Sequence, residues 1–255
     1  MNNRHNEIIK LLASSSFISV TKLSQIFDVS EMTIRRDLTQ LEKDNQVKRV
    51  FGGVVSKELS TAEPSYNDRE QKAREEKNYI ANLASDFVID NTIIGVDCGS
   101  TCLELVRHLM NRKLTIVTNS LRIMNLCMES ETLNLIVPPG TLRKSEGSII
   151  GSKTVKFFDE IHLDQSFIGV GGVDIDFGCS DYSFEDVEVK KAMINCSDEI
   201  LVLADKLKLG KKTCSRICKL EDVDILITNK DLEEEYQNKL ITAGVKFIYS
   251  KEKGN

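Results

Sequence analysis

The chain has 255 residues, 41% of them hydrophobic, which supports one or two globular domains with real cores and excludes a disordered chain. Its net charge of −5 argues against a protein that coats nucleic acid, yet residues 1 to 60 hold nine Lys/Arg against seven Asp/Glu, so positive surface is concentrated at the N-terminal end. The polar start, MNNRHNEIIKLL, and the lack of any later run approaching roughly 18 apolar residues speak against a secretory leader and a membrane partner, so a cytoplasmic protein is expected.

Arg4 to Ala13 reads as a helix with Ile8, Ile9, Leu11 and Leu12 apolar, and Thr21 to Phe27 as a short second helix burying Leu23, Ile26 and Phe27. Asp28-Val29 then makes a tight turn into Ser30, whose hydroxyl is suited to cap a third helix, with Thr33 at N3. At about 100° per residue, Ile34, Leu38 and Leu41 share one stripe, while Met32, Arg36, Thr39, Gln40 and Lys43 fall opposite. Arg35 borders the stripe, placed to reach a phosphate or to brace Asp37. Leaving the helix requires a residue with φ > 0, for which Asn45 is the best-suited type after glycine. Lys48 and Arg49 follow on a short strand, and Gly52-Gly53 turns the chain back along Val54-Val55.

Any small helix with a solvated charged face shows such a stripe. The distinguishing feature is the order of parts: helix, short helix, tight turn, helix, basic hairpin. This is the order of a winged helix-turn-helix domain, here residues 1–56, whose third helix enters the major groove of double-stranded operator DNA while its two-stranded wing touches the backbone. The expected DNA contacts are Ser30, Glu31, Met32, Thr33, Arg35 and Arg36 on the helix and Lys48 and Arg49 on the wing. One such domain covers a half-site, so a homodimer or tetramer is expected.

Residues 57–67 carry a proline, small polar residues and no periodicity, and are expected to form a linker into a second domain, 68–255. The charged run DREQKAREEKN from Asp68 continues into Ile80, Leu83, Ala84 and Phe87 at helical spacing, which predicts one helix with solvated early turns. Short β-branched runs then alternate with helical segments. Strands are predicted at 92–96, 115–117, 134–137, 166–170, 200–204, 225–228 and 246–249, with helices at 100–110, 120–128, 154–158, 186–196 and 232–243. Fully apolar strands alternating with helices indicate an α/β domain with a mostly parallel sheet covered on both faces, and ligands of such sheets bind beyond the carboxyl ends of the strands.

Polar, glycine-containing turns fall at those ends. Asp97, Gly99, Ser100 and Thr101 follow the first strand and open a helix, offering free N–H groups and hydroxyls to a phosphate. Asn119 and Ser120 do the same after the second strand, Gly140 follows the third and Gly171 the fourth. One such turn is ordinary capping; four in register on one sheet edge point to a ligand. Asp186, Lys190, Asp205 and Lys208 add charges of both signs, the mixture a phosphorylated polyol needs, although Asp186 and Lys190 also stand as a simple i,i+4 pair. The seven cysteines are odd in number and several lie in apolar contexts, as for reduced thiols; with His5, His108 and His162 scattered, neither a metal site nor a cofactor is expected.

With these residues in place, the chain resembles the DeoR family of bacterial sugar-metabolism regulators over nearly its whole length. The resemblance is carried by VSEMTIRRDLTQLEKDNQVKRVFGGVV, EKNYIA, VDCGSTC, TIVTNS, FIGVGG and LADKLKLG, in that order. It implies a sensor domain related to ribose-phosphate isomerases and coenzyme A transferases that binds a phosphorylated sugar and alters operator affinity. It also implies Gly99, Ser100 and Thr101 as the phosphate loop, Asn119 and Ser120 as a second turn, and Asp205 and Lys208 as the polar end of the site. A ligand-responsive repressor without catalytic activity is the leading expectation. The alternative is a sugar-phosphate isomerase or acyl-transfer enzyme fused to a DNA-binding domain, with Asp97, Asp186, Asp205 and Lys208 as possible chemical actors.

Overall fold

The computed structural model describes residues 3–13, 18–44, 46–50, 53–56, 63–229 and 232–248. Two compact units are present, Met1–Glu63 and Pro64–Asn255.

The first unit contains α1 (Asn3–Ala13), β1 (Ile18–Ser19), α2 (Val20–Phe27), α3 (Glu31–Lys43), β2 (Val47–Val50) and β3 (Gly53–Ser56). Its core is Ile8, Leu12, Val20, Leu23, Ile34, Leu38, Leu41 and Val54, so the predicted stripe of α3 is the buried one. Ile26, expected inside, is 45% exposed. Val20, Leu23 and Phe27 fall within about 60° of arc on α2, and Ile26 lies roughly 100° from their centre. The tight turn before α3 uses Asp28 at φ 49°, and the Ser24 hydroxyl donates to the Val29 carbonyl across it at 2.6 Å. The wing has three antiparallel strands in the order β1-β3-β2 rather than two, the extra strand being only two residues long. Asn45 and Gly52, expected at the helix exit and the hairpin turn, lie outside the described residues.

The second unit opens with α4 (Tyr66–Gln71) and α5 (Arg74–Ser85), where the spacing predicted a single helix. Ala73 takes φ 56°, which breaks the ladder, and the Lys77 ammonium turns back to the Arg69 and Lys72 carbonyls at the end of α4. Ser65 caps α4 through the Asp68 N–H at 3.2 Å, so Ser65 and Tyr66, in the segment expected as linker, belong to the second unit. The sheet is formed by β4 (Ile93–Val96), β5 (Leu114–Thr118), β6 (Leu133–Ile136), β9 (Leu163–Gly169), β12 (Ser197–Leu203), β14 (Ile225–Ile227) and β15 (Lys246–Ile248). These seven strands run in the order β15-β14-β12-β9-β4-β5-β6, and every pairing is parallel.

Alternate residues supply the two faces. Phe167, Leu201 and Leu203 pack under α5 and α6 (Ser100–Leu109), with Ile123 of α7 (Leu121–Cys127). Ile168, Val202 and Leu226 pack under α8 (Ser152–Phe158), α9 (Phe184–Asn195) and α10 (Glu234–Thr242). Strand order grows outward in both directions from β4, so the connections reverse between β4 and β9, and ligands of such sheets bind beyond the carboxyl ends of the strands at this switch point. Around it lie two small antiparallel sheets that periodicity did not predict: a hairpin, β7 (Thr141–Arg143) with β8 (Ser148–Ile150), and the set β10 (Gly172–Asp174), β11 (Gly178–Asp181) and β13 (Ser215–Cys218). Strands of three or four residues that carry serines, charges and glycines hold too little alternation to stand out from loops.

Candidate functional site

On α3 the Ser30 hydroxyl accepts from the Thr33 N–H at 3.2 Å and lies 3.0 Å from the Thr33 hydroxyl. Met32 is 76% exposed, and Arg35 and Arg36 are also exposed. Glu31 accepts from the Thr21 hydroxyl at 2.7 Å and from Arg35 at 3.3 Å, which ties the start of α3 to α2. Asp37 is buried, and its brace is Arg4 at 2.6 Å and His5 at 3.4 Å, both from α1, in place of the expected Arg35. Burial would raise its pKa, but the Arg4 and His5 contacts outweigh burial and hold the carboxyl below the usual range. Arg49 is fastened to the helix: its guanidinium donates to the Thr39 hydroxyl at 2.7 Å and its backbone N–H to Glu42 at 2.9 Å. Nothing is described for the Lys48 side chain. A capped helix that exposes Arg35 and Arg36, with Arg49 bound alongside, has the form that a major groove accepts.

At the switch point, Asp97 follows β4 and is 1% exposed. Its Oδ2 accepts from Lys190 Nζ at 2.5 Å, from the Gly169 N–H at 3.1 Å and from the Gly99 N–H at 3.3 Å. Lys190 also donates to the Gly169 carbonyl at 2.7 Å and lies 3.2 Å from Asp181. Burial alone would discharge this lysine, but Asp97 and Asp181 reverse the balance and raise its pKa well above the ordinary value. The simple helical pair of Asp186 with Lys190 is not what forms. Asp186 turns to Arg143 and to the Ser148 hydroxyl, the latter at 2.6 Å, because both side chains are buried among partners from other elements.

Gly99 caps α6 with no side-chain hydrogen bond, and the carboxylate that meets this helix end is Asp97, through the Gly99 N–H. Ser120 caps α7 through the Ile123 N–H at 3.4 Å, and Asn119 Nδ2 donates to the Ile149 carbonyl at 3.2 Å. A Cβ on Gly171 would come 2.8 Å from Asp181 Oδ1, so this glycine lets the Lys190 partner approach. Gly140 serves packing: a Cβ there would lie 2.1 Å from the Thr154 hydroxyl and 2.7 Å from the Ile150 carbonyl. Asp205 accepts from the Leu207 N–H at 2.8 Å, and burial lowers the pKa of Lys208, with Asp205 and Asp181 opposing.

The fold brings in several groups that local spacing could not place. Tyr66 and Arg69 come from α4, Arg122 stacks over the Tyr66 ring at 3.5 Å, and Arg69 pairs with Glu146 between β7 and β8. Burial pushes Lys77 down to about 8, against the pull of Asp205. Arg69 sits in the run expected to be solvated; the one sequence signal nearby is Lys77, inside EKNYIA. Among the described residues no group of His, Cys, Asp and Glu is arranged to hold a metal ion, and no helix is long and apolar enough to cross a membrane.

A winged helix-turn-helix unit and an α/β unit with a polar cluster at its switch point define a DNA-binding transcriptional regulator with a sensor domain. Residues 4–59 match the DeoR-like helix-turn-helix domain and residues 72–230 the DeoR C terminal sensor domain, and the chain belongs to the DeoR family. It is 35% identical over 247 residues to the glycerol-3-phosphate regulon repressor of Haemophilus influenzae, covering 96% of this chain and 95% of the relative. With the repressor of the same description from Escherichia coli K12, identity is 32% over 227 residues, covering 89% of this chain and 90% of the relative. Among solved structures, ribose 5-phosphate isomerase A of Methanocaldococcus jannaschii superposes with a TM-score of 0.42 at 21% identity, covering 54% of this chain and 55% of the other.

Proposed function

We propose that the protein is a cytoplasmic repressor of an operon for sugar or polyol phosphate metabolism, and that a phosphorylated sugar bound at the switch point between β4 and β9 changes its affinity for operator DNA. The supporting observation is the meeting, at the switch point, of the glycine-capped α6 N-terminus with the buried Asp97–Lys190–Asp181 cluster. The helix end suits a phosphate, and carboxylates with hydroxyl-bearing turns suit a polyol. Ser30, Glu31, Met32, Thr33, Arg35 and Arg36, with Lys48 and Arg49, would face the DNA, and a homodimer or tetramer would present two such helices to a symmetric operator.

The site binds without turnover in this proposal. Of the possible chemical actors, Asp97 already accepts three hydrogen bonds and Asp186 is held by Arg143 and Ser148, so neither of these two is poised as a general base. The test is calorimetry of the full chain against glycerol 3-phosphate, ribose 5-phosphate and fructose 6-phosphate, with operator binding followed by anisotropy. A bound ligand at 100 times Kd should stabilise the protein by about 2.7 kcal/mol. An isomerised product after overnight incubation would replace the sensor with an enzyme.

A further inference from the structure

Beside this switch point, two deeply buried polar atoms have no hydrogen-bond partner among the described residues: the Tyr66 hydroxyl and Asn119 Oδ1. Both residues are 1% exposed. Native interiors rarely leave such atoms unpaired, and each instance calls for a physical reason. Packing explains the rest of Tyr66. Its ring carries the Arg122 guanidinium at 3.5 Å and lies 5.7 Å from that of Arg69, and a phenylalanine would do the same. The hydroxyl is what remains unexplained.

Its surroundings are those of the switch point. Helix α4 packs on α6, whose N-terminus opens there, and Arg122 is the second residue of α7, which begins just after Asn119-Ser120. Burial holds the phenol above its ordinary pKa, so the hydroxyl keeps its proton and remains a donor. Asn119 Oδ1 is an acceptor only, since Nδ2 of the same amide is engaged with Ile149. One donor and one acceptor beside an anion-binding helix end match a hydroxylated carbon chain carrying a phosphate.

We infer that the Tyr66 hydroxyl donates to an oxygen of the ligand's polyol chain and that Asn119 Oδ1 accepts from one of its hydroxyls, so that this pair selects a phosphorylated polyol over bare phosphate. The inference rests on the effector site proposed above. It also gives the ligand a hold on α4, whose first residue is Tyr66, two positions beyond the boundary between the two units at Glu63/Pro64.

The experiment uses full-length wild type and Tyr66→Phe, with calorimetry against inorganic phosphate, n-propyl phosphate, glycerol 3-phosphate, ribose 5-phosphate and fructose 6-phosphate, and with thermal unfolding of both proteins. Tyr66→Phe should unfold at the same temperature or higher, because it removes an unpaired buried hydroxyl. It should bind inorganic phosphate and n-propyl phosphate like wild type and the tightest of the three polyol phosphates about ten-fold more weakly, the size of one lost hydrogen bond. Equal affinity of the two proteins for that polyol phosphate, or a lower unfolding temperature with affinity unchanged, overturns the inference and leaves the effector site standing. If wild type binds none of the three, the effector site falls and this inference with it.

Discussion

Helix α3 and the carboxyl edge of the parallel sheet both gather charge, and they do so in opposite ways. The proposed DNA face is assembled within residues 30 to 49 and keeps Arg35, Arg36 and Arg49 in water, over a small core that needs only Ile34, Leu38 and Leu41 from the helix itself. The proposed effector site draws on positions from Tyr66 to Lys208 and buries its ions: Lys190, Asp97, Asp181 and Asp186 are all at least nine-tenths inside. Exposed pairs such as Arg35–Glu31 contribute little to stability. Buried clusters exact a heavy desolvation cost that only complete pairing offsets. A reader of DNA must keep its charges available to phosphates, whereas a sensor must hold its charges in place until a ligand alters the balance.

That contrast is broken most sharply by Lys190→Met. Removing the ammonium leaves Asp97 and Asp181 buried beside each other without their cation, and losing one partner of a buried pair typically costs about 3–5 kcal/mol. Chemical unfolding should show the α/β unit losing this much while the helix-turn-helix unit unfolds as before. A loss below roughly 1 kcal/mol would mean that the cluster is far better solvated than its geometry indicates.

The next effect is a pH dependence. With a folded pKa of about 8, Lys77 binds its proton less well folded than unfolded, where lysine titrates near 10.4. Between these values the unfolded chain holds more protons, so stability of the α/β unit should rise as pH increases from about 8 toward 10.4. The urea midpoint measured across that range tests this, and Lys77→Met should flatten the slope. A midpoint that stays flat instead would place Lys77 in a solvated setting.

The same contrast decides what the sequence could reveal. The order of parts in the first unit, the stripe of α3 and all seven strands of the parallel sheet were legible, because each depends on periodicity within a dozen residues. So were Asp97, Gly99 and Asn119 as residues at strand ends, since an apolar strand followed by a polar turn announces its own carboxyl end. The partners were not. Nothing near Lys190 signals Asp97, 93 positions earlier, and spacing pairs Asp186 with Lys190 on their own helix, whereas its partners Arg143 and Ser148 come from a hairpin too short to stand out. Arg69 and Tyr66 were hidden for a related reason: the break at Ala73 folds a charged run back on the site, and a left-handed alanine leaves no mark in composition.

On the exposed side the expected effects are smaller and fall on binding rather than folding. Arg36→Ala should leave the unfolding curve unchanged and weaken operator binding by about 1–3 kcal/mol, the range for one bidentate base contact, with relaxed choice at one base pair. Anisotropy titrations against the operator and single-base variants measure both. An unchanged preference would take Arg36 off the reading face.

The smallest effect concerns Arg49, where the structure separates two roles that its charge alone does not. If its guanidinium meets a phosphate, Arg49→Ala removes one neutralised charge, weakens binding to all sequences alike, and makes the slope of log K against log salt shallower by about one. Yet Arg49 also donates to the Thr39 hydroxyl, which itself donates to the Arg35 carbonyl at 2.7 Å, so it holds β2 against α3. Loss of that brace would let the helix settle differently in the groove, changing sequence preference at constant salt slope. Thr39→Val distinguishes the two, because it removes the hydroxyl and keeps the cation. We expect Thr39→Val to retain the wild-type slope and Arg49→Ala to lose one unit of it. If both variants keep the slope and both shift base preference, the wing would be a brace for the recognition helix and its cation would play no part in holding the backbone.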